Sequence, residues 1–317
     1  MTRYILGRLV QTALVLLIMS FIIYSLIGLM PGDPIDIMVN SNPNVSPEVA
    51  ATLRKLYGLD QPITTRYWNW LTAAITGDLG YSRTHHQPVL DLMAPALLQT
   101  CKLLFTSFTL SVLLSFVLGI TAARNPGSLR DNTISLATFA GISVPVFWLC
   151  LVMILVFAVQ LHWFPASGIA NVGDGSLRDH LIHLVLPVTT LALATTGGFT
   201  RFVRASMLET LRLDLVRTAR AKGASESRVV IIHAFRNALI PVVTIIALSF
   251  GTLFNGALVV ETMFAQPGMG KMIYDAILGN DFNLALSGLL FATLITLLCN
   301  LAADLAYGYL DPRISLR

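Results

Sequence analysis

The segment Gly268-Met269-Gly270-Lys271-Met272 is the chain's nearest approach to a nucleotide-binding loop, and it lacks two necessary parts. A phosphate loop needs a further glycine five positions before the one preceding its lysine, and a Ser or Thr hydroxyl after that lysine to hold Mg. Position 265 is Ala and position 272 is Met, so the segment is not expected to hold a nucleotide. His180-Leu181-Ile182-His183 spaces two imidazoles at i, i+3, but the glutamate of a metalloprotease pattern is missing. The His85-His86 pair could hold a metal, though paired loop histidines are far more often simply solvated. Cys101, Cys150 and Cys299 stand apart in apolar runs and read as packing residues, not as disulfides or a metal site. No metal site is expected, and no nucleophile and base can be paired on facing segments as a hydrolase would require.

The acids separate transporter classes. Ion-driven carriers place carboxylates in mid-span, whereas Glu261 and Asp304 fall near the ends of apolar runs. Glu261 is therefore the candidate for the substrate path, lining an outer gate or meeting a substrate amine. The competing reading is a structural hydrogen bond to the adjacent 262–271 segment. Gly197-Gly198 reads as a site of close helix packing.

These residues are set in an unusual background. Of 317 residues, 55% are hydrophobic and 12% charged, about half the charged share of an ordinary soluble domain. Such a chain cannot cover itself in water. Its apolar residues cluster in runs of about 20 or more, enough to cross the hydrocarbon of a bilayer as helix. Six runs qualify, at 9–30, 96–123, 133–161, 181–200, 237–260 and 283–306, and define an all-α membrane protein with six transmembrane helices. Pro145 and Pro187 fall within runs and are expected to be tolerated there, because neighbouring helices satisfy the freed carbonyls. The first run follows Arg3 and Arg8 and ends at Pro31-Gly32-Asp33-Pro34 without cleavage chemistry, so it reads as a retained span.

Three parts follow: an N-terminal tip and first span over 1–30, an extracytoplasmic loop over 31–95, and a core of five spans over 96–317. Six spans put both termini on one side, together with the 124–132 turn and the 201–236 segment. Those segments hold 14 of the 21 Lys and Arg, which assigns them to the cytoplasm. The net charge of +4 thus records topology; no basic stretch is interleaved with aromatics, and nucleic acid is not an expected partner. In the 31–95 loop, Ser46-Pro47-Glu48 predicts a short helix capped by Ser46, and Tyr67, Trp68, Trp70 and Leu71 a second helix at the outer interface.

The 201–236 segment carries the sharpest local pattern. Asp214 can cap a helix through Lys222, and Gly223 can end it in a left-handed turn. Leu215, Val216, Ala219 and Gly223 share one face, with Arg217 and Arg220 on another. Such a helix suits a groove on a cytoplasmic partner or, equally, an anionic lipid surface.

Here the sequence resembles a known family. Arg217-Thr218-Ala219-Arg220-Ala221-Lys222-Gly223, followed by His233-Ala234-Phe235-Arg236-Asn237-Ala238-Leu239-Ile240-Pro241, is similar to the coupling loop of ABC importer permeases of the dipeptide/oligopeptide/nickel class. The likeness runs through Pro31-Gly32-Asp33-Pro34, Gly58-Leu59-Asp60-Gln61-Pro62, Gly77-Asp78-Leu79-Gly80, Phe147-Trp148-Leu149 and Trp163-Phe164-Pro165-Ala166-Ser167-Gly168. It ends with the Glu261–Gly270 stretch and Asp311-Pro312-Arg313. Arg217 stands where the broader superfamily often has Glu, and Thr218 where it often has Ala, as is usual in the peptide class. The resemblance implies a permease in the bacterial inner membrane with no cofactor of its own, ATP and Mg belonging to partner chains. Residues 217–223 would couple it to two ATPase subunits, beside a second homologous permease and an extracytoplasmic solute-binding protein. Implied cargo is di- or oligopeptide, with nickel or a nickel chelate as the alternative; a proton-coupled carrier is the alternative from another class.

Overall fold

In hydrocarbon no water pairs the backbone, so an apolar run stays helical until some residue forbids it. A computed structural model of the chain, describing residues 2–29, 47–56, 60–249 and 253–310, follows that rule. Among the described residues the β pairing is one isolated bridge between Tyr81 and Pro88. The order begins with α1 (Thr2–Gly28), α2 (Pro47–Leu56), α3 (Ile63–Ile75), α4 (Val89–Arg124), α5 (Leu129–Ser143) and α6 (Val146–Met153), which runs into a π-helical segment over Ile154–Gln160. Next come α7 (Leu177–Thr210), α8 (Asp214–Ala221) and α9 (Glu226–Arg228), with a second π-helical segment over Val229–Phe235. The order ends with α10 (Arg236–Ser249), α11 (Leu253–Met263), α12 (Met269–Leu278) and α13 (Phe282–Leu310). The expected Ser46 cap, Pro31-Gly32-Asp33-Pro34, Gly58-Leu59, Asp311-Pro312-Arg313 and the Asp304 side chain lie outside the described residues.

Among the described residues four helices are long and apolar enough to span a membrane: α1, α4, α7 and α13. The run at 133–161, expected as one span, is α5 and α6 meeting at 106°. Pro145 is the cause. It fixes its own φ at −60°, and its ring drives Val144 out of the helical region to φ −84°, ψ 126°. Pro187 stays inside α7, as expected. The run at 237–260 corresponds to α10 and α11, separated by residues outside the described set. The run at 181–200 is only the middle of α7, whose 34 residues reach about 51 Å at 1.5 Å per residue. Residues 201–210, read from sequence as connector, therefore continue the span as helix.

The bundle is held by α4 against α7 along a seam of small and hydroxylated residues, among them buried Ser107, Ser111, Ser115 and Gly119. A Cβ on Gly119 would lie 2.7 Å from Val203 Cβ, so glycine is what admits this approach. Gly197 plays the same part between α7 and α5: a Cβ there would sit 2.5 Å from the Thr138 carbonyl oxygen, whereas Gly198 faces open space.

Two apolar clusters mark opposite ends of α4. At its start, Val89 and Met93 join Ile23, Tyr24 and Ile27 of α1, Tyr67 of α3, and the α12–α13 corner. At its finish, Ala123 joins Phe199, Val203 and Met207 of α7 with Val216 and Ala219 of α8. The aromatic loop helix α3 is present as expected; Tyr67 is buried against α1, its hydroxyl 2.7 Å from Ser20 Oγ, while Trp68 is 59% exposed. The following loop docks on the start of α13 through Asp281. Ser82 Oγ donates to its carboxylate at 2.5 Å, Thr84 donates through N–H and Oγ1 at 3.0 and 2.8 Å, and Leu284 N–H at 3.3 Å. Arg83 adds a bond to the Gly279 carbonyl.

Two outcomes are expected. Gly197→Ala should destabilise the purified protein by about 1–3 kcal/mol, the usual range for overpacking, while Gly198→Ala should change it little; comparable thermal unfolding of the two would contradict the glycine contact. Burial raises the Asp281 carboxyl, but the Ser82, Thr84 and Arg83 hydrogen bonds outweigh it and hold the group below its ordinary value. The docking should then be complete above the unfolded carboxyl's pKa of about 3.9 and fade as pH falls through the lower folded value. Hydrogen exchange over residues 80–86, corrected for intrinsic rate, checks this; Asp281→Asn should release the loop even at neutral pH.

Candidate functional site

Helix α8 begins one residue earlier than its sequence suggests. Leu213 holds the cap position without a side-chain bond, and Asp214 is the first helical residue, its carboxylate 3.3 Å from Arg217 Nη1. The other end is built as expected. Gly223 has φ +78°; its N–H reaches the Arg220 carbonyl at 2.9 Å, and the Ala224 N–H reaches the Ala219 carbonyl at 3.1 Å. This pair of bonds is the Schellman arrangement, which turns the chain sharply back.

That turn decides which face is presented. Val216 is 0% exposed and Ala219 7%, both packed into the chain's own cluster with Met207, Val229, Val230 and Ala234. Leu215, placed on the same face by its spacing, is 38% exposed at the edge. The small residues therefore bind α8 to its own bundle. Arg217, Thr218, Arg220, Ala221, Lys222 and Gly223 lie on the accessible side. Arg220 also makes a two-pronged bond to Glu226, Nη2 to Oε1 at 2.7 Å and Nε to Oε2 at 3.2 Å, across the Gly223 turn. The guanidinium bond holds the Glu226 carboxyl below its ordinary value and the carboxylate raises Arg220, so both stay charged at neutral pH. Both side chains are about half exposed, so the pair sets direction more than stability.

Contacts run without a break from α8 into the bundle. The π-helical segment after α9 buries Val229, Val230 and Ala234, Phe235 meets Phe116 of α4 edge to face at 5.3 Å, and Ser206 Oγ donates to the Ala238 carbonyl at 2.9 Å. A second link was not foreseen. Asp131, 2% exposed at the start of α5, takes a bidentate bond from Arg204 of α7, Nε to Oδ1 at 2.6 Å and Nη2 to Oδ2 at 2.7 Å. The Gly127 N–H donates to the same carboxylate at 2.8 Å. In the sequence Arg204 is one of many basic residues of the 201–236 segment and Asp131 carries no pattern; 73 positions of separation hide the pairing.

Glu261, the substrate-path candidate, is 1% exposed. Thr100 Oγ1 donates to Oε1 at 2.5 Å and the Lys271 N–H to Oε2 at 3.1 Å. The carboxylate fills the space where Cβ atoms on Gly268 and Gly270 would stand, 2.2 and 2.9 Å away. It thus holds the start of α12 and engages the 262–271 segment, the structural bond that the competing reading describes. The Lys271 N–H, part of the faint phosphate-loop pattern, is occupied by it. His180 and His183 each set Nδ1 against a backbone carbonyl, Ile169 at 2.8 Å and Asp179 at 2.9 Å. His85 and His86 are exposed, and no group of three or more metal-ligating side chains forms among the described residues. The three cysteines are free.

Comparison with known proteins places this geometry. The family described as "Binding-protein-dependent transport system inner membrane component" matches residues 115–316, and its N-terminal counterpart matches residues 1–104. The oligopeptide transport system permease protein AppB of Bacillus subtilis is 34% identical over 316 residues, 99% of each chain. The di/tripeptide transport system permease protein DppB of Pseudomonas aeruginosa is 35% identical, over 98% of this chain and 96% of that one. Among solved structures, an inward-facing MetNI methionine ABC transporter shares the fold with TM-score 0.57 at 19% identity, covering 69% of this chain and 96% of its own. Matched along nearly its whole length, and helical in the manner of such a permease, the chain belongs to the binding-protein-dependent transport system inner membrane component family.

Proposed function

We propose that this permease imports di- or oligopeptides as one of two similar membrane subunits enclosing a shared path, and that α8 docks on one of two ATPase subunits in the cytoplasm. The observation that carries the docking is the division of α8 into two faces. Its small residues are fixed to the bundle, and its long side chains, Arg217 and Lys222 with Thr218 and Ala221 between them, are left outward. The charge asymmetry supports a cytoplasmic position for this end and for both termini. The loop anchored by Asp281 then faces a solute-binding protein outside. ATP binding draws the ATPases together, α8 moves with them, and the cluster around Met207 and Val229 passes that movement to α7 and α10. The chain itself makes and breaks no covalent bond; ATP and Mg belong to the partner subunits. The peptide assignment rests on the relatives named for oligopeptide and di/tripeptide transport.

Arg217→Glu, Arg220→Glu and Gly223→Glu, assayed in the assembled transporter, should leave the protein in the membrane and lower uptake and stimulated ATP hydrolysis at least about tenfold. Arg217→Glu is the cleanest, because it disturbs only an exposed pair with Asp214. Wild-type coupling in all three would refute the docking, and uptake by this chain alone under a pH gradient would replace it with a proton-coupled carrier. For cargo, mass spectrometry of ligand carried by the cognate binding protein should find short peptides; nickel alone would reverse the assignment.

A further inference from the structure

The outward face of α8 explains how a motor is gripped but not how its movement reaches α5 and α6, which share no backbone link with the coupling loop. Helix α5 starts at the turn 125–128, and its first turn carries Asp131. That carboxylate is fixed from three sides: Arg204 grips both oxygens, the Gly127 N–H binds one, and Ser135 Oγ lies 3.4 Å from the other. Its own N–H goes to Ser128 Oγ at 3.3 Å, which caps the helix. Arg204 stands less than two turns before the end of α7, where the chain enters α8. The same level is sterically locked, since Gly119 of α4 lies against Val203 and the Arg204 backbone N–H. Two turns earlier in α7, Gly197 brings Thr138 of α5 into contact.

Two fixings on one pair of helices, a bidentate ion pair and a glycine contact, suppress both sliding and rotation. A lone apolar contact would permit either. Arg supplies a planar fork matched to a carboxylate, which Lys cannot reproduce. Beyond the fixings, α5 continues to the 106° corner at Pro145. A groove of about 340 Å³ lies beside that corner, lined in part by Gly141, Val144, Trp148, Leu193 and Gly197. Whatever moves α5 reshapes that groove.

We infer that Asp131 and Arg204 are positioning residues that clamp α5 to α7, so that displacement of the coupling helix is delivered to the α5–α6 corner. The inference rests on the proposed docking of α8. It is tested in the assembled transporter with spin labels on unnatural amino acids at Leu14 of α1, Leu136 of α5 and Ser227 of α9, all exposed, the last tied to α8 by the Arg220–Glu226 pair and outside its docking face. Distances are compared without nucleotide and after trapping with ATP and vanadate. In the wild type both Leu136 and Ser227 should shift relative to Leu14. In Asp131→Asn the Ser227 shift should persist while the Leu136 shift falls to about half or less, and Arg204→Lys, which keeps the charge but loses the fork, should do the same. The double variant should be no worse than either single one, as residues acting through one bond are non-additive. A full Leu136 shift in either single variant, with wild-type Ser227 movement, overturns the clamp and leaves the docking intact. Absence of a Ser227 shift on trapping in the otherwise wild-type transporter overturns the docking and the clamp together. If Asp131→Asn fails to assemble, Arg204→Lys alone decides.

Discussion

Buried carboxylates hold this bundle together at its joints. Among the described residues the buried acids are Asp131, Asp179, Glu261 and Asp281, and each ties the start of a helix to a segment distant in sequence or to a loop. Asp131 joins α5 to α7, Asp179 holds Asn171 of the loop before α7, Glu261 holds the start of α12, and Asp281 anchors the 82–84 turn. Glu261 and Asp281 take amides of the helix start directly, Lys271 N–H and Leu284 N–H, while Asp131 and Asp179 sit in the first turn of theirs. A helix start exposes amides that lack intrahelical partners, and a partly desolvated anion near them is favoured by the helix dipole and by charge-assisted hydrogen bonds. Within hydrocarbon the backbone satisfies itself; at the ends it needs side-chain acceptors, these carboxylates together with the Ser128 and Ser176 caps.

Between those joints the described interior of the bundle is built from uncharged, adaptable packing. The α4–α7 seam is made of hydroxyls that bond back to their own helices or across to one another, such as Thr195 Oγ1 to Ser111 Oγ at 2.9 Å, and of glycines that admit close approach. Such a seam is packed by shape and carries few strong bonds in membrane terms. On the proposed mechanism, rigid ends joined by an adaptable middle suit a subunit that alternates between two arrangements without unfolding.

Much of this was legible in the sequence, and the exceptions have physical causes. Runs of apolar residues located the long helices because length and hydropathy decide them locally. Gly223 was legible because a left-handed turn at a helix end selects glycine almost alone. The kink at Pro145 was not, since Pro187 sits undisturbed in α7; the outcome depends on whether packing compensates the lost hydrogen bond. The two faces of α8 could be drawn from spacing, but not which of them turns inward. Glu261 illustrates the same gap: a carboxylate near a span end looks the same in sequence whether it meets a substrate or the next helix. The Asp131–Arg204 pair belongs wholly to tertiary geometry.

The inward anchoring of Val216 and Ala219 has a thermodynamic corollary. A coupling helix already folded and seated on its own subunit loses little conformational entropy when an ATPase arrives; each side chain or segment that would otherwise be ordered at that moment costs about 0.5–1.5 kcal/mol. On the proposed reading, docking can therefore be tight with few contacts and can recur through every cycle. On the same reading, recognition between motor and permease is written in Arg217, Thr218, Arg220, Ala221 and Lys222, while Val216 and Ala219 face the chain's own bundle. Exchange of ATPases between related transporters would then be governed by those five exposed positions.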